Sequence, residues 1–434
     1  MTEIFVIFLG VICLMIIGIP IAFSFAIGGF ILLVIFDIEP LWATMQGLQL
    51  VSSFALLSFP LYVLMGGIIS NSGIAKRIID FATSVLYRIK GGSGMAVIVA
   101  NAFFGAMSGS AMAALGGLGK GFLKIMEDEK YKKSYGISVL ISSAVLSIMI
   151  PPSGNAILFG FLGRLSIARC FLTGLGPGLV LMTFLLIVHF IIFPKFCPDA
   201  VMPPKVTNKE QFRIIGNSFK KNYLTLAIPV VVLGVIYGGI ATPTESAAIG
   251  AVYALILGLF VYRTLKFNEL GQIFFDASKL VGSMLVLLFF FMVMSRVLVI
   301  EQISEQLLAL IMQVTTNKFG IIALISVLLV FLGMIIDDGS VTIISAILFL
   351  PIAKQIGFDP YQFMAITVVF AAVGLITPPV AALLYLGGHI AGDIPLRTFI
   401  LPTVIFLLFA FLPTALLVIF IPQISTFLPY LFMG

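Results

Sequence analysis

Two proline pairs, Pro151-Pro152 and Pro378-Pro379, each stand in the middle of a long apolar stretch, 227 residues apart. Proline has no backbone donor and breaks a helix. Two in succession at membrane depth free carbonyls that lipid cannot satisfy, so each break must be buried in protein or line a wet cavity. Interrupted membrane helices at matching places in two halves of a chain point to the binding site of a secondary transporter.

Composition agrees with a bilayer setting. Hydrophobic residues make up 61% of the 434, charged ones 10%, and the mean hydropathy is +1.22. A soluble globule of this size does not carry that balance. Met1-Thr2-Glu3 lacks the positive start of a cleaved signal, so the first apolar run is expected to stay. Cys13, Cys170 and Cys197 show no metal-ligand spacing and imply no disulfide framework; they read as small packing residues. Lys and Arg cluster in alternate loops, at 76–90, 120–133, 195–221 and 263–279. With these loops and Arg397 inside, 19 of the 24 Lys and Arg are cytoplasmic. The positive-inside rule then predicts periplasmic N- and C-termini. Because the charges flank spans and form no continuous stripe, the pI of 9.1 does not signal nucleic acid.

Residues 4–36 form one long helix or two short ones parted at Gly18-Ile19-Pro20, and 54–70 form another span. Residues 72–92 are amphipathic and basic, suited to an arm helix at the inner interface. Residues 93–119 are apolar, rich in small residues and basic at both flanks. Such a segment enters and leaves by one face, as a re-entrant hairpin with its tip near Ser108-Gly109-Ser110. A helix over 137–163 breaks at the first proline pair, and 170–193 completes a first repeat, 1–194. A basic linker or interfacial arm, 195–222, leads to a second repeat, 223–434. There 223–261 splits at Ala241-Thr242-Pro243-Thr244-Glu245, 280–300 spans, and 302–316 makes an arm. A hairpin over 319–352 is interrupted at Asp337-Asp338-Gly339-Ser340, 362–388 breaks at the second proline pair, and 399–422 spans.

The halves align in order. Ser24, Ala26, Ile27 and Gly28 match Ser246, Ala248, Ile249 and Gly250; Gly109-Ser110 match Gly339-Ser340; Pro151, Pro152 and Gly160 match Pro378, Pro379 and Gly387. The first hairpin has basic flanks, whereas the second carries only Lys318 and Lys354, so the copies are oppositely oriented. The expected fold is an all-α polytopic membrane protein of two inverted-topology repeats with re-entrant hairpins and broken helices.

Asp337 and Asp338 are the strongest single signal, because an acidic pair at membrane depth must face protein or water. With Gly339 and Ser340 they offer carboxylate, carbonyl and hydroxyl oxygens, the ligands a hard cation such as sodium requires. The alternative is that one Asp caps the broken helix. Ser108-Gly109-Ser110 offers only carbonyls and hydroxyls, or else a small-residue helix contact. Asn155 and Thr377 stand beside the breaks, as site groups or as partners of freed carbonyls. Half-helix N-termini attract anions and C-terminal carbonyls attract cations, so a site between two tips and two breaks suits a carboxylate carried with sodium. Ser110, Asn155, Ser340, Pro378 and Arg296 are candidates to meet that carboxylate, although an Arg in such a place also snorkels or pairs locally. His189 and His389 read as packing residues rather than proton relays, and Glu245 as a helix cap. No catalytic, metal-ligand or phosphate-binding constellation stands out. Neither enzyme activity nor a cofactor is expected, with sodium serving as coupling ion.

The chain also resembles a known family, the large membrane (M, DctM-like) subunit of tripartite ATP-independent periplasmic (TRAP) transporters. The resemblance rests on Phe59-Pro60-Leu61 leading to Met65-Gly66, Ser108-Gly109-Ser110, Ile150-Pro151-Pro152-Ser153, Ala241-Thr242-Pro243-Thr244-Glu245, Gly333-Met334, Asp359-Pro360 and Gly374-Leu375-Ile376-Thr377-Pro378-Pro379-Val380. It implies an elevator-type, sodium-driven importer of an organic acid in the bacterial inner membrane. The partners it implies are a small four-helix membrane subunit and a periplasmic substrate-binding protein. It maps sodium to Ser108, Gly109 and Ser110 with Pro152 and Ser153, and to Asp337, Asp338 and Gly339 with Gly374 and Thr377. Ala381 stands where the family commonly has glycine. A self-sufficient sodium–dicarboxylate symporter, or a structural subunit of a membrane complex, are the competing readings.

Overall fold

In the computed structural model, residues 2–86, 88–201, 206–378 and 381–433 are described. Pro379 and Val380 of the second proline motif, and Lys205 of the basic linker, lie outside them. Every regular element among the described residues is helical. The chain opens with α1 (Thr2–Ile16) and α2 (Ile21–Ile35), parted at Pro20, which has no N–H to continue a helix. Next come α3 (Pro40–Val51), α4 (Ser58–Asn71) and the amphipathic α5 (Ile74–Leu86), which buries Ile74, Ile78, Ile79 and Ala82. Helices α6 (Gly92–Ser108) and α7 (Ala111–Asp128) make the first hairpin. A broken helix follows as α8 (Lys133–Ala144), α9 (Leu146–Met149) and α10 (Gly154–Leu162), and then the long α11 (Ile167–Phe196).

In the second repeat α12 (Asn208–Tyr237), α13 (Pro243–Ile256), α14 (Phe267–Ile300) and the arm α15 (Ile303–Val314) precede the second hairpin. That hairpin comprises α16 (Lys318–Ile335), α17 (Asp338–Ile344) and α18 (Leu350–Gln355). The second broken helix is α19 (Pro360–Leu375) and α20 (Ala382–Ile390); α21 (Leu396–Phe406), α22 (Leu412–Phe420) and α23 (Gln423–Met433) end the chain. Wide π turns at Ser345–Phe349 and Leu407–Phe411 each end two residues before a proline, Pro351 and Pro413. A proline there withholds its N–H and crowds the carbonyl four residues back, which favours the looser turn.

Eight helical segments of the described residues are long and apolar enough to cross a membrane. The packing is crossed between repeats: α2 lies along α14 while α13 lies along α4, and α10 packs on α17 while α20 packs on α7. Gly28 packs chiefly on Val11 of α1 with the Met294 sulfur further off, whereas its repeat mate Gly250 faces Met65. The protein is therefore an all-α membrane protein of two inverted repeats. The first broken helix is largely sheathed by other helices, and α19 is buried along nearly its whole length, while α20 keeps an exposed face at Tyr385. The freed backbone at the first break thus sits in protein, not lipid.

Three stretches differ from the sequence reading. Of the 195–222 stretch, the described residues from Asn208 on are not a separate linker or arm: α12 starts there and continues unbroken into the apolar stretch, while α11 runs to Phe196. Residues 37–53, to which the sequence reading assigns no element, hold α3, started by Pro40 at its first position. The 280–300 span is the apolar end of a 34-residue helix, α14.

Candidate functional site

The first tip is built by chain reversal between α6 and α7. Gly109 takes φ +61°, and Ser110, in extended conformation, caps α7 by accepting the Ala113 N–H at 3.3 Å. A β-carbon on Gly109 would stand 2.6 Å from the Pro152 carbonyl oxygen and 3.2 Å from Ser153 Cα. Both the backbone angle and the space therefore demand glycine. Ser108 backs onto Gly66 of α4. At the break, Ser153 Oγ donates to the Ile148 carbonyl at 2.5 Å, so Ser153 satisfies a carbonyl freed by the prolines.

Two buried polar atoms near this tip, Ser108 Oγ and Asn155 Nδ2, have no hydrogen-bond partner within hydrogen-bonding geometry among the described residues, nor do Asn101 Oδ1 and Ser142 Oγ further along α6 and α8. Asn101 is otherwise well held, donating from Nδ2 to Ser143 Oγ at 2.7 Å and accepting at its carbonyl from Ser147 Oγ at 3.1 Å. Orphaned buried polar atoms are rare and call for a water, ion or ligand. Asn101, Ser142, Ser143 and Ser147 were not singled out by sequence; the available signal was a polar residue inside an otherwise apolar helical run.

At the second tip Asp337 is a helix cap. Its Oδ2 accepts the Ser340 N–H at 3.0 Å and its Oδ1 accepts the Ser340 hydroxyl at 2.5 Å. The capping alternative is thus observed for Asp337, and it commits Ser340 as well. Asp338, in the first turn of α17, lies alongside Asn155 of α10, so the first broken helix meets the second hairpin tip. Gly339 packs on Met284 of α14. Thr377 Oγ1 donates to the Val373 carbonyl at 2.6 Å, the local role weighed for it. Gly374 meets Gly333 backbone to backbone, and Ala381 holds φ +28° while its N–H donates to the Met334 carbonyl at 3.3 Å. Glycine suits that positive φ, alanine less so.

Ser108, Gly109, Ser110, Pro152, Ser153 and Asn155 are thus joined to Asp337, Asp338, Gly339 and Ser340 in one chain of contacts, with Gly374, Thr377 and Pro378 on the second broken helix. Arg296 is not brought there. It donates to Gln46 Oε1 of α3 at 3.0 Å, and it stands twelve residues along α14 from Met284, about 18 Å of helix. His189 is buried, paired with the Gly91 carbonyl through Nε2 (3.0 Å) and with the Tyr135 hydroxyl through Nδ1 (2.8 Å). A carbonyl only accepts, so Nε2 carries the proton and Tyr135 donates to Nδ1. His389 is exposed and pairs with Asp393, and Glu245 closes a capping box with Thr242. At the base of the first hairpin, Ser93 Oγ donates to Glu129 Oε1 at 2.6 Å, and burial holds the Glu129 carboxyl above its ordinary range.

Two hairpin tips meeting two broken helices inside an inverted repeat define a membrane carrier. The chain matches the model of the tripartite ATP-independent periplasmic transporter DctM component over residues 8–424, and it belongs to that family. It is 31% identical over 418 residues to the sialic acid TRAP transporter large permease protein SiaM of Vibrio cholerae, covering 96% of each chain. It is also 31% identical over 379 residues to the C4-dicarboxylate TRAP transporter large permease protein DctM of Pseudomonas aeruginosa, covering 87% of this chain and 86% of the other. Among solved structures, the YdaH transporter of Alcanivorax borkumensis shares the fold, with TM-score 0.62, 15% identity and 88% of both chains covered.

Proposed function

We propose that this TRAP large permease carries an organic acid across the bacterial inner membrane, coupled to sodium. In this reading the two hairpins and two broken helices move together, elevator-fashion, against a frame that includes α2, α3, α12, α13 and α14. The observation that carries it is the contact chain from Gly109 through Pro152 and Asn155 to Asp338, which joins both tips inside the protein. Half-helices α10 and α17 both begin there. Their N-termini favour a carboxylate, while the Pro152 carbonyl, the Ser108 hydroxyl and the Asp338 carboxylate supply oxygens for sodium. Partners in this reading are a small four-helix membrane subunit and a periplasmic binding protein that delivers the acid. The relatives' names, sialic acid and C4-dicarboxylate, support organic acids as the substrate class.

Proteoliposome uptake of a radiolabelled acid tests it. Uptake is expected only with the small subunit, the loaded binding protein and an inward sodium gradient together. Uptake by this chain alone would favour a self-sufficient symporter, and uptake indifferent to replacing sodium by potassium would sink the coupling.

A further inference from the structure

That reading uses α12 only as part of the frame and assigns no role to its polar first half. At 30 residues the helix is about 45 Å long, against a hydrocarbon core of about 30 Å. Its apolar part is the C-terminal end, so the Asn208 end stands at headgroup depth. Two stripes run along that end. The inner one is bonded to α5 and its surroundings. Gln211 Nε2 donates to the Ser84 carbonyl at 3.0 Å, Asn222 Oδ1 accepts from Arg77 at 3.4 Å, and Thr225 shares a hydrogen bond with Tyr262.

The outer stripe comprises Lys209, Phe212, Arg213, Phe219, Lys220 and Tyr223, which share one helical face. Phe212 is 76% exposed, Phe219 51% and Tyr223 52%, and the three cations are exposed beside them. None of these cations has a carboxylate within ion-pair distance among the described residues. Glu210, the acid of this turn, is folded back into a capping box with Thr207. Exposed rings alternating with cations that form no ion pair at a membrane boundary match one environment: rings at the interface, cations on lipid phosphates.

We propose that this face of α12 binds anionic phospholipid, of the phosphatidylglycerol type, and so anchors α5 at headgroup level. The test uses the purified full chain in detergent, titrated with phosphatidylglycerol or phosphatidylcholine, with bound lipids counted by native mass spectrometry. The expected result is preference for the anionic lipid, falling about fivefold per cation removed in the Lys209→Gln/Arg213→Gln/Lys220→Gln variant. A control of equal charge loss, Lys120→Gln/Lys124→Gln/Lys132→Gln, should retain it. Phe212→Ser should weaken both lipids alike. Equal loss in both triple variants, or undiminished binding in the first, overturns the proposal. So does a photo-crosslinker at position 216 that captures the small membrane subunit instead of lipid in the assembled complex. The readout is independent of transport, so a failure of sodium coupling leaves it standing.

Discussion

Gly105 of α6 crosses Ser147 of α9 so closely that a β-carbon on the glycine would stand 2.4 Å from the serine Cα. The second repeat makes the same crossing at Gly333 and Gly374, where a β-carbon on Gly374 would stand 2.6 Å from the Gly333 Cα. The pairs lie 228 and 227 residues apart in sequence. In both repeats, then, backbone rather than side chain sets how near a hairpin comes to its broken helix. Each crossing lies close to its tip, so it fixes where the tip's carbonyls and hydroxyls stand relative to the break.

Gly374→Ala should therefore push α16 off α19 and cost about 1–3 kcal/mol, the usual penalty of overpacking. Because backbone atoms are what the new methyl would meet, no side chain can turn aside. Thermal unfolding in detergent should show a lowered midpoint, and Gly105→Ala a comparable one. An unchanged midpoint for both would mean the crossings are looser than 2.6 Å implies.

What was legible in the chain was whatever is decided locally. Proline pairs break helices whatever surrounds them, and the Gly109 and Asp337 turns carry their own turn and cap chemistry, so the hairpins, breaks and inverted repeat could be read. The course of α12 could not, because the change from polar to apolar near residue 222 marks entry into the membrane and not a helix end. Within the candidate site, residue types at the tips were visible but their partners were not. Asp337 spends its oxygens on Ser340, Thr377 donates to Val373, and Arg296 reaches Gln46 on α3, a helix for which the sequence offers no apolar run. The Asn101–Ser143–Ser147 network joins residues 42 and 46 apart, which no local pattern announces.

Glu129 makes the stability of the first hairpin's base depend on pH. Burial holds its folded-state carboxyl above the ordinary 4.5, while the Ser93 hydrogen bond pulls the other way and is the weaker influence. Folding thus favours the protonated acid. Its stabilising share is complete below about 4.5 and is lost as pH rises through the raised folded value. Glu129→Gln keeps a neutral group there, so the wild-type melting midpoint should fall relative to this variant between pH 4.5 and 7. A constant difference across that range would show that Glu129 titrates as it does unfolded.

Ser108 separates ligand from scaffold. Its hydroxyl is buried and unpartnered, so Ser108→Ala breaks no hydrogen bond within the protein and should change the sodium-free midpoint by less than about 0.5 kcal/mol. A cation that binds only the folded state raises the midpoint by mass action. If Ser108 Oγ is one of its oxygens, the sodium-induced rise should shrink in the variant while potassium remains without effect. A full sodium response in Ser108→Ala would remove the residue from the site.

The acidic pair should divide in the same way. Asp337 caps α17 with both oxygens, so Asp337→Ala should cost about 1 kcal/mol of stability with or without sodium, and Asp337→Ser, which keeps a cap acceptor, should recover much of it. Asp338 does not hold Ser340 as Asp337 does; its carboxylate lies against Asn155, the backbone of Asp338 and Gly339, and the like charge of Asp337, so a cation there would offset the repulsion. Asp338→Asn should accordingly leave the sodium-free protein as stable as wild type or more so, because it removes a like charge beside Asp337. The same change should lower apparent sodium affinity in uptake by tenfold or more, about 1.4 kcal/mol. Sodium titrations of both variants in proteoliposomes decide the matter. If Asp337→Ser loses the sodium response and Asp338→Asn keeps it, the ligand role belongs to the cap and the assignment made from geometry is reversed.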